Sequence, residues 1–369
     1  MLLHPGSGFT WSAHAASFPL GANARPALKP LPDHPGNIFL MGEPIKVPIP
    51  AGLSEEWQVL DYRSNAVARL PVRAEQAELA LGNLPIGYYV VKPARLQGTR
   101  PITLGVISTL SEPVPADSPI GLDVAMAWFY PPDKMEAAAS LAMLAGANWV
   151  RDRMNWAELE PQWGVFVART KYDQSAQAQS DLGLRVLQVG HASPKWANPD
   201  PRRFPLDLRH AHHFHQEIAR RWKGKVLAFE PWNEADIERF GGHTGGEMAS
   251  LQKAAFLGLK AGNPEVIACL NVFATHRPAH LTDLAANEAW PYFDTFNFHH
   301  YEPIAAYSDI YAAFRNVSAG KPLWVTECSV PVPWTDEPTK EPSEADLKLQ
   351  AERLVKTFAV SLHEGSAAT

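Results

Sequence analysis

The chain has 369 residues, of which 46% are hydrophobic and 20% charged, and its formal net charge at pH 7 is −6. This composition is typical of a soluble globular protein, and an overall negative charge without long runs of one sign argues against a nucleic-acid partner. No stretch approaches the ~20 consecutive apolar residues that would span a bilayer, so no membrane partner is expected.

The first 36 residues are rich in proline, glycine and alanine without any periodicity, which predicts an irregular arm. This segment lacks the basic start and continuous apolar core of a secretory signal, and the compartment stays open. The two cysteines, Cys269 and Cys328, are too few for a disulfide framework, and we interpret both as buried free thiols.

Residues 37–117 predict a small β-sandwich domain. Seven short segments with strand composition are separated by turn formers such as the Gly-Glu-Pro run at 42–44. The predicted strands are 37–41, 45–49, 57–62, 66–72, 77–81, 88–92 and 102–107. The role of this domain is open, with a structural role as the default, and a proline-rich linker follows it.

From residue 118 onward, strands alternate with helices, which implies a parallel sheet. The predicted strands are 121–128, 148–154, 185–190, 227–234, 266–272, 295–301 and 323–327. Among the helices, one at the end of the chain covers 344–364 and begins with the capping residues Ser343 and Asp346. The alternation, with polar residues at the C-terminal ends of the strands, predicts an α/β fold of the (β/α)₈ TIM barrel type.

One strand is missing from this count. A (β/α)₈ barrel needs eight strands, and only seven are evident in residues 118–369. Three explanations are open: a strand has been overlooked, the chain is truncated at its C-terminal end, or a segment from elsewhere completes the barrel.

Two glutamates follow apolar runs that are typical of buried strands. Glu234 closes the run FEPWNE at 229–234, and Glu327 closes the run LWVTE at 323–327. At the ends of the fourth and seventh strands of a barrel, they would face each other across its mouth. Glycosidases use such a pair: one carboxyl group gives a proton to the leaving oxygen, and the other attacks the sugar carbon or activates water.

Four segments carry a resemblance to a known group of enzymes. They are Trp232-Asn233-Glu234, Thr326-Glu327, His299-x-Tyr301, and the run GANWVR at 146–151 with Trp156, Glu160-Pro161 and Gly164 after it. Together they resemble the retaining glycoside hydrolases of clan A, and within that clan families 39 and 5. The resemblance covers roughly residues 120–330.

The resemblance implies a role for each matching residue. Glu234 would be the acid/base and Glu327 the nucleophile. Arg151 would lie near the nucleophile, and Tyr301 would hydrogen-bond it. Asn233 is suited to bind the 2-hydroxyl of the sugar, a contact that strengthens in the transition state.

The proposed roles make physical demands on both glutamates. Glu327 must be ionised to attack, and Arg151 could hold it in that form. Glu234 must be protonated near neutral pH, which burial and a nearby negative charge favour. Strand alternation puts His299 and Tyr301 on one face, which we expect to point to the barrel mouth.

Other residues near the predicted mouth have two interpretations each. His191 and Trp196 follow the third strand and are candidate sugar contacts. Trp196, Trp232 and Trp334 are stacking platforms or ordinary packing. Glu230 could point the same way as Glu234 but deeper, where it would need a charge partner.

Structural alternatives exist for the other site residues as well. Arg151 could be a structural ion pair, and Tyr301 could be a core residue with its hydroxyl satisfied. The histidine-rich run at 210–215 could suggest a metal, but it lacks the His-Glu-x-x-His order, so a solvated helix face is favoured.

The sequence therefore predicts a retaining glycoside hydrolase that cleaves β-linked glycosides, with no cofactor and no metal. An oligosaccharide or glycoside is the expected substrate, and a secreted or periplasmic location would suit the resemblance. One rival is a non-catalytic carbohydrate-binding barrel, to which the missing strand gives weight. The other is a metal-dependent hydrolase built on the histidines. The sugar, exo or endo action and the oligomeric state are open.

Overall fold

The computed structural model of the chain describes residues 33–52, 54–95, 100–110, 112–329 and 343–369. Contacts divide these residues into two units. The first contains the described residues up to Val114 together with Asp133–Gly146, and the second contains 115–132 and 147–369. Most of the predicted N-terminal arm, and Trp334, lie outside the described residues.

The first unit is built on seven β-strands, which match the seven predicted positions. They are β1 (Ile38–Leu40), β2 (Ile45–Pro48), β3 (Glu56–Asp61), β4 (Ala66–Pro71), β5 (Glu78–Gly82), β6 (Gly87–Pro93) and β7 (Ile102–Ile107). One sheet has the order β1-β7-β6-β3-β4, and β2 pairs with β5. Buried side chains from both sheets, among them Val47, Trp57 and Leu104, form one core.

The second unit contains eight parallel strands in two sheets. They are β8 (Gly121–Asp123), β9 (Trp149–Asn155), β10 (Arg185–His191), β11 (Val226–Glu230), β12 (Ile267–Ala268), β13 (Phe296–His300), β14 (Leu323–Cys328) and β15 (Ser366–Ala368). The sheets have the orders β12-β11-β10-β9-β8 and β13-β14-β15. Every residue of β10 and β13 is buried, as is typical of parallel strands with both faces covered.

The prediction that the eighth strand is missing is wrong. Strand β15 pairs in parallel with β14. Its residues, Ser-Ala-Ala, include no β-branched or aromatic side chain, so the usual strand signal is absent. Backbone hydrogen bonds also connect the two sheets. Gly121 N, in β8, donates at 2.8 Å to the backbone oxygen of Thr369, the residue after β15. Leu270 N, two residues after β12, donates at 3.0 Å to the backbone oxygen of Thr295, the residue before β13.

Helices lie between the strands. They are α1 (Met126–Phe129), α2 (Met135–Leu144), α3 (Trp156–Leu159), α4 (Lys171–Asp181), α5 (Leu208–Arg221), α6 (Gly245–Gly262), α7 (Pro278–Ala286), α8 (Tyr307–Val317) and α9 (Glu344–His363). Short 3₁₀ helices cover Pro35–Asn37, Pro132–Lys134, Glu238–Phe240, Trp290–Tyr292 and Ile304–Ala306. The predicted capping pair of α9, Ser343 and Asp346, is present.

Two further observations concern the helices. Helix α2 groups with the strands of the first unit, although the predicted domain boundary assigns it to the barrel. Within the described part of the chain, no helix combines the length and apolar character needed to cross a bilayer.

Gly190, in β10, fixes how closely the third and fourth parallel strands approach. A Cβ atom at this position would lie 2.4 Å from the backbone oxygen of Pro231, just after β11. Any larger residue must therefore push the two strands apart where the loop carrying Glu234 begins. Glycine is required here because of close backbone approach.

We expect Gly190→Ala to destabilise the protein by roughly 1–3 kcal/mol, the range for overpacking a close-packed interior. Urea unfolding followed by tryptophan fluorescence measures the change. Gly246→Ala is the matched control, since its Cβ would meet only the side-chain ends of Asn287 and Asp283, at 3.2 Å or more. Equal stability of Gly190→Ala and the wild type would contradict the close approach.

Candidate active site

Glu234 lies in the loop after β11 and does not end a strand, contrary to the sequence prediction. The strand ends at Glu230 because Pro231, the next residue, has no N–H to continue the ladder. Glu234 has a φ of 43°, in the left-handed region where non-glycine residues are uncommon. Hydrogen bonds with Val272 hold the loop: its N donates to Trp232 O, and its O accepts from Ala235 N, both at 3.1 Å.

Glu327, on β14, is surrounded by hydrogen-bond donors. Its Oε2 accepts from Arg151 Nη1 and from Arg153 Nη2, each at 3.0 Å. Its Oε1 accepts from the hydroxyl of Tyr301. Burial by itself would raise the pKa of Glu327, but His299, Arg151 and the Tyr301 hydrogen bond outweigh burial and lower that pKa to about 2. Glu327 is therefore a carboxylate at neutral pH.

Glu234, His299 and Glu327 meet at one point. One carboxylate oxygen from each glutamate and a ring nitrogen of His299 all lie within 4.8 Å of one another. His299 Nδ1 is 3.0 Å from Glu234 Oε1 and 3.9 Å from Glu327 Oε2. The first contact is a hydrogen bond, so one of its two groups carries the proton. The structure thus brings together two carboxyl groups that are 93 residues apart in the sequence.

Arg151 is buried and has partners in several elements. Its Nε donates to Glu230 Oε2 at 2.7 Å, and its Nη2 donates to Asn233 Oδ1 at 2.6 Å, besides the bond to Glu327. Burial lowers the pKa of Arg151, but the charges of Glu230, Asp123 and Glu327 raise it above its usual value. Both interpretations of Arg151 therefore apply: it forms a buried ion pair with Glu230, and it also donates to Glu327.

Glu230 has the charge partner that its burial requires. It is fully buried and accepts from Arg151 Nε, from Asn297 Nδ2 at 2.7 Å and from the hydroxyl of Thr326. These donors come from β9, β13 and β14, so Glu230 connects three strands to its own. Thr326 directly precedes Glu327, and Glu230 therefore also fixes the backbone position of that residue.

Arg153 and Asp123 are site residues that the sequence analysis missed. Arg153 donates to Asp123 from Nη1 at 2.8 Å and from Nη2 at 2.6 Å, the two-point contact of a carboxylate. Burial raises the pKa of Asp123, while Arg151 and Arg153 oppose that rise. Strand alternation could have identified Arg153, since residues two apart on β9 share a face. Asp123, Arg151 and Glu327 also line a cavity of about 230 Å³ that extends to β15 and α9 and that neither Glu234 nor His299 lines.

Two predicted sugar contacts occupy different surroundings. His191, at the end of β10, lies between the rings of Trp128 and Phe240, with centroid distances of 4.7 and 5.7 Å. Burial, and then the charges of Arg151 and Arg153, lower the pKa of His191 well below its usual value, so this imidazole is neutral.

Trp196 belongs to a separate aromatic group. Its ring contacts are with Trp156, Trp163 and His210, and its Nε1 donates to the backbone oxygen of Glu160 at 3.0 Å. Trp232 is buried, and its Nε1 donates to Phe240 O at 3.0 Å. These contacts favour ordinary packing for Trp232 over a role as a stacking platform.

A metal would find one group of ligand atoms among the described residues, formed by Glu234, His299 and Glu327. The guanidinium groups of Arg151 and Arg153 adjoin Glu327, and their positive charge opposes a bound cation. The histidines of α5 have other surroundings. His215 is buried with its Nδ1 on Ala211 O, and His210 and His213 pack against Trp163.

No protein-family model matches the sequence, and no curated protein matches it. Solved structures do match. A family 39 glycoside hydrolase from Bacteroides cellulosilyticus WH2 is 16% identical with a TM-score of 0.67, and the match covers 90% of this chain and 73% of that chain. A family 5 glycoside hydrolase from Streptomyces cattleya is 16% identical with a TM-score of 0.51, covering 66% and 68%. A xylanase from Cellvibrio japonicus is 19% identical with a TM-score of 0.50, covering 68% and 85%.

These similarities establish a shared fold. The neighbours are glycoside hydrolases of clan A, so the predicted resemblance to that clan is confirmed at the level of structure. At identities of 16–19% the comparison concerns the α/β architecture with its parallel strands. The chemistry must be argued from the side chains of this chain.

The depressed pKa of Glu327 has a consequence for stability. In the folded protein it is about 2, against an ordinary value of 4.5. Ionised Glu327 therefore stabilises the fold above about pH 4.5, by about 3 kcal/mol, and this contribution is lost as the pH falls toward 2. We expect the difference in unfolding free energy between the wild type and Glu327→Gln to fall by roughly half between pH 7 and pH 3.

Urea titrations at both pH values measure this difference. Carboxyl groups far from Glu327 titrate equally in both proteins and cancel, so the difference reports Glu327 together with its neighbour Asp123, whose pKa the charge of Glu327 raises. A difference that is the same at pH 7 and pH 3 would show that Glu327 is not held as a carboxylate by its neighbours.

Proposed function

We propose that this protein is a retaining glycoside hydrolase that cleaves β-linked glycosides by double displacement, with Glu327 as nucleophile and Glu234 as acid/base. One observation carries the proposal: a glutamate hydrogen-bonded to a histidine lies within 4.8 Å of a second glutamate that two arginines hold ionised. Retaining enzymes have carboxyl groups ~5–5.5 Å apart, and inverting enzymes ~6.5–9.5 Å. The distance of less than 4.8 Å joins only one oxygen of each carboxyl group, and it is compatible with the retaining separation.

In the first step, a carboxylate oxygen of Glu327 forms a bond to the anomeric carbon. The bond from that carbon to the leaving oxygen breaks, and its electron pair stays on the oxygen. The proton of the Glu234 carboxyl group moves to the same oxygen, so the leaving group departs as a neutral alcohol. Glu327 is then a glycosyl ester, and Glu234 is a carboxylate.

In the second step, water attacks the anomeric carbon from the side that the leaving group vacated. Glu234 takes the proton from this water as the new bond forms. The ester bond breaks, and its electron pair returns to Glu327 as a carboxylate. Two inversions at the same carbon give net retention.

Neighbouring side chains suit a sugar substrate. The Oδ1 of Asn233 accepts from Arg151, which leaves its NH₂ to donate to a sugar hydroxyl. Neutral His191 can exchange hydrogen bonds with another hydroxyl. The clan A neighbours support a carbohydrate substrate in general. The β linkage is part of our proposal and rests on the resemblance of the sequence to clan A.

The same proposal includes the architecture. The hydrogen bonds at both seams between the two parallel sheets support a single (β/α)₈ barrel, and β15 removes the main argument for a non-catalytic carbohydrate-binding protein. For the first unit, two sheets around one core support a β-sandwich with a structural role.

Azide separates the two carboxylate roles. With a dinitrophenyl β-glycoside, we expect Glu327→Ala plus azide to give the α-glycosyl azide, because azide occupies the space of the missing nucleophile. Glu234→Ala plus azide should give the β-glycosyl azide, because azide replaces water in the second step. Proton NMR of the products identifies the anomers. Without azide, Glu234→Ala should lose about 10²–10⁴-fold in kcat on a substrate with a poor leaving group.

Glu238→Ala is the matched control, because Glu238 begins the 3₁₀ helix four residues after Glu234 and its side chain is exposed. It should keep wild-type activity without azide. Wild-type protein that releases no dinitrophenolate from gluco-, xylo- or manno-configured glycosides, or Glu327→Ala that stays fully active, would overturn the proposal.

A further inference from the structure

Two arginines and three carboxylates form one continuous row beside the candidate site. Along the row they are Asp123, Arg153, Glu327, Arg151 and Glu230. Arg153 grips Asp123 through two bonds of 2.8 and 2.6 Å, and Arg151 donates to Glu230 at 2.7 Å. Arg151 Nη1 also lies 3.5 Å from Asp123 Oδ2. Each guanidinium therefore keeps at least one carboxylate partner in addition to Glu327, which lies between them.

The net charge of this row depends on Glu327. When all five groups are ionised, two positive and three negative charges leave one negative charge in excess. Esterification of Glu327, which the proposed function requires, removes one negative charge and makes the row neutral. Without the two end carboxylates, the same step would leave two largely buried guanidinium groups with no carboxylate of the row in contact, which is strongly unfavourable.

Resting on the proposed function, we propose that Glu230 and Asp123 are positioning residues that keep Arg151 and Arg153 paired and in place while Glu327 carries the glycosyl group. Glu230 and Asp123 also attract Arg151 and Arg153 electrostatically, so that Glu327 is not the sole anionic partner of the two guanidinium groups. Removing either carboxylate should therefore slow formation of the glycosyl ester without slowing its hydrolysis. Forming the ester removes the charge of Glu327, whereas hydrolysing the ester restores it.

Of the two carboxylates at the ends of the row, Glu230 should interact more strongly with its guanidinium partner than Asp123 does. Its side chain has no exposed surface, while that of Asp123 is 20% exposed and can be screened by water. Glu230 also accepts from Asn297 and Thr326, so its geometry is fixed independently of Arg151. Loss of the Glu230 charge should therefore have the larger effect.

The test is Glu230→Gln, which keeps the size of the side chain and an oxygen acceptor but removes the charge. The probe is a dinitrophenyl 2-fluoro-β-glycoside, in whichever of the gluco, xylo and manno configurations reacts fastest with the wild type. Release of dinitrophenolate reports ester formation, and mass spectrometry locates the label. Recovery of activity after removal of excess probe reports ester hydrolysis.

We expect ester formation in Glu230→Gln to be roughly 10²-fold slower, because the ester then leaves buried Arg151 without its closest counter-charge, and ester hydrolysis to be unchanged or faster. Asp123→Asn should give the same pattern at roughly 10-fold. Glu160→Gln is the matched control: Glu160 is equally buried, but its donors are Trp156 and Gly164, outside the row. This variant should not slow ester formation more than hydrolysis.

Each result decides the inference. Equal slowing of both steps in Glu230→Gln, or no slowing of ester formation, overturns it while the proposed function stands. Failure of the probe to label Glu327 in the wild type overturns the proposed function, and the inference with it. Circular dichroism shows whether Glu230→Gln folds; if it does not, the same split in Asp123→Asn decides, and its absence there overturns the inference.

Discussion

The buried guanidinium of Arg151 is the group on which the rest of the site depends. Removing such a cation from water is strongly unfavourable unless its N–H groups find acceptors and its charge finds a counter-charge. Its acceptors are Glu230 on β11, Asn233 in the loop after that strand, and Glu327 on β14. A single cation thus fixes the distance between the loop that carries Glu234 and the strand that carries Glu327. Together with His299 and Tyr301, this pairing also keeps Glu327 ionised, so the geometry and the protonation state of the site share a cause.

The parallel strands make this pairing available. Because strands β9, β11, β13 and β14 run in the same direction, residues near their C-terminal ends come together at one side of the fold. Strand β11 ends before Pro231, and in the loop that follows Glu234 has a left-handed backbone and a hydrogen bond to His299. The absence of a Cβ atom at Gly190 lets β10 approach this turn closely. The backbones of β10 and β11 therefore help to position the side chain of Glu234, although Glu234 itself belongs to neither strand.

Much of the fold could be predicted because the local signals were strong. Alternating apolar residues and turn formers located the seven strands of the first unit, and β-branched or aromatic runs located seven of the eight parallel strands. The eighth is held by backbone pairing with β14, and its small side chains give no such signal. On α9, burial does not follow the hydrophobicity of the side chains: Leu354 is half exposed, whereas Thr357 and Ser361 are buried. Neighbouring segments decided the burial of that helix, and its own periodicity did not.

For the site, the sequence by itself determined the residue types and their order: two glutamates after apolar runs, an arginine on an early strand, and a His-x-Tyr pair before the second glutamate. It also indicated that a buried Glu230 needs a charged partner. Only the tertiary structure decided which charge pairs with which. Arg151 lies 79 residues from Glu230 and 176 from Glu327, and Arg153 lies 30 from Asp123. Ionic and hydrogen-bond energies depend on separations of a few ångströms, and those separations are set by the packing of strands that are distant along the chain.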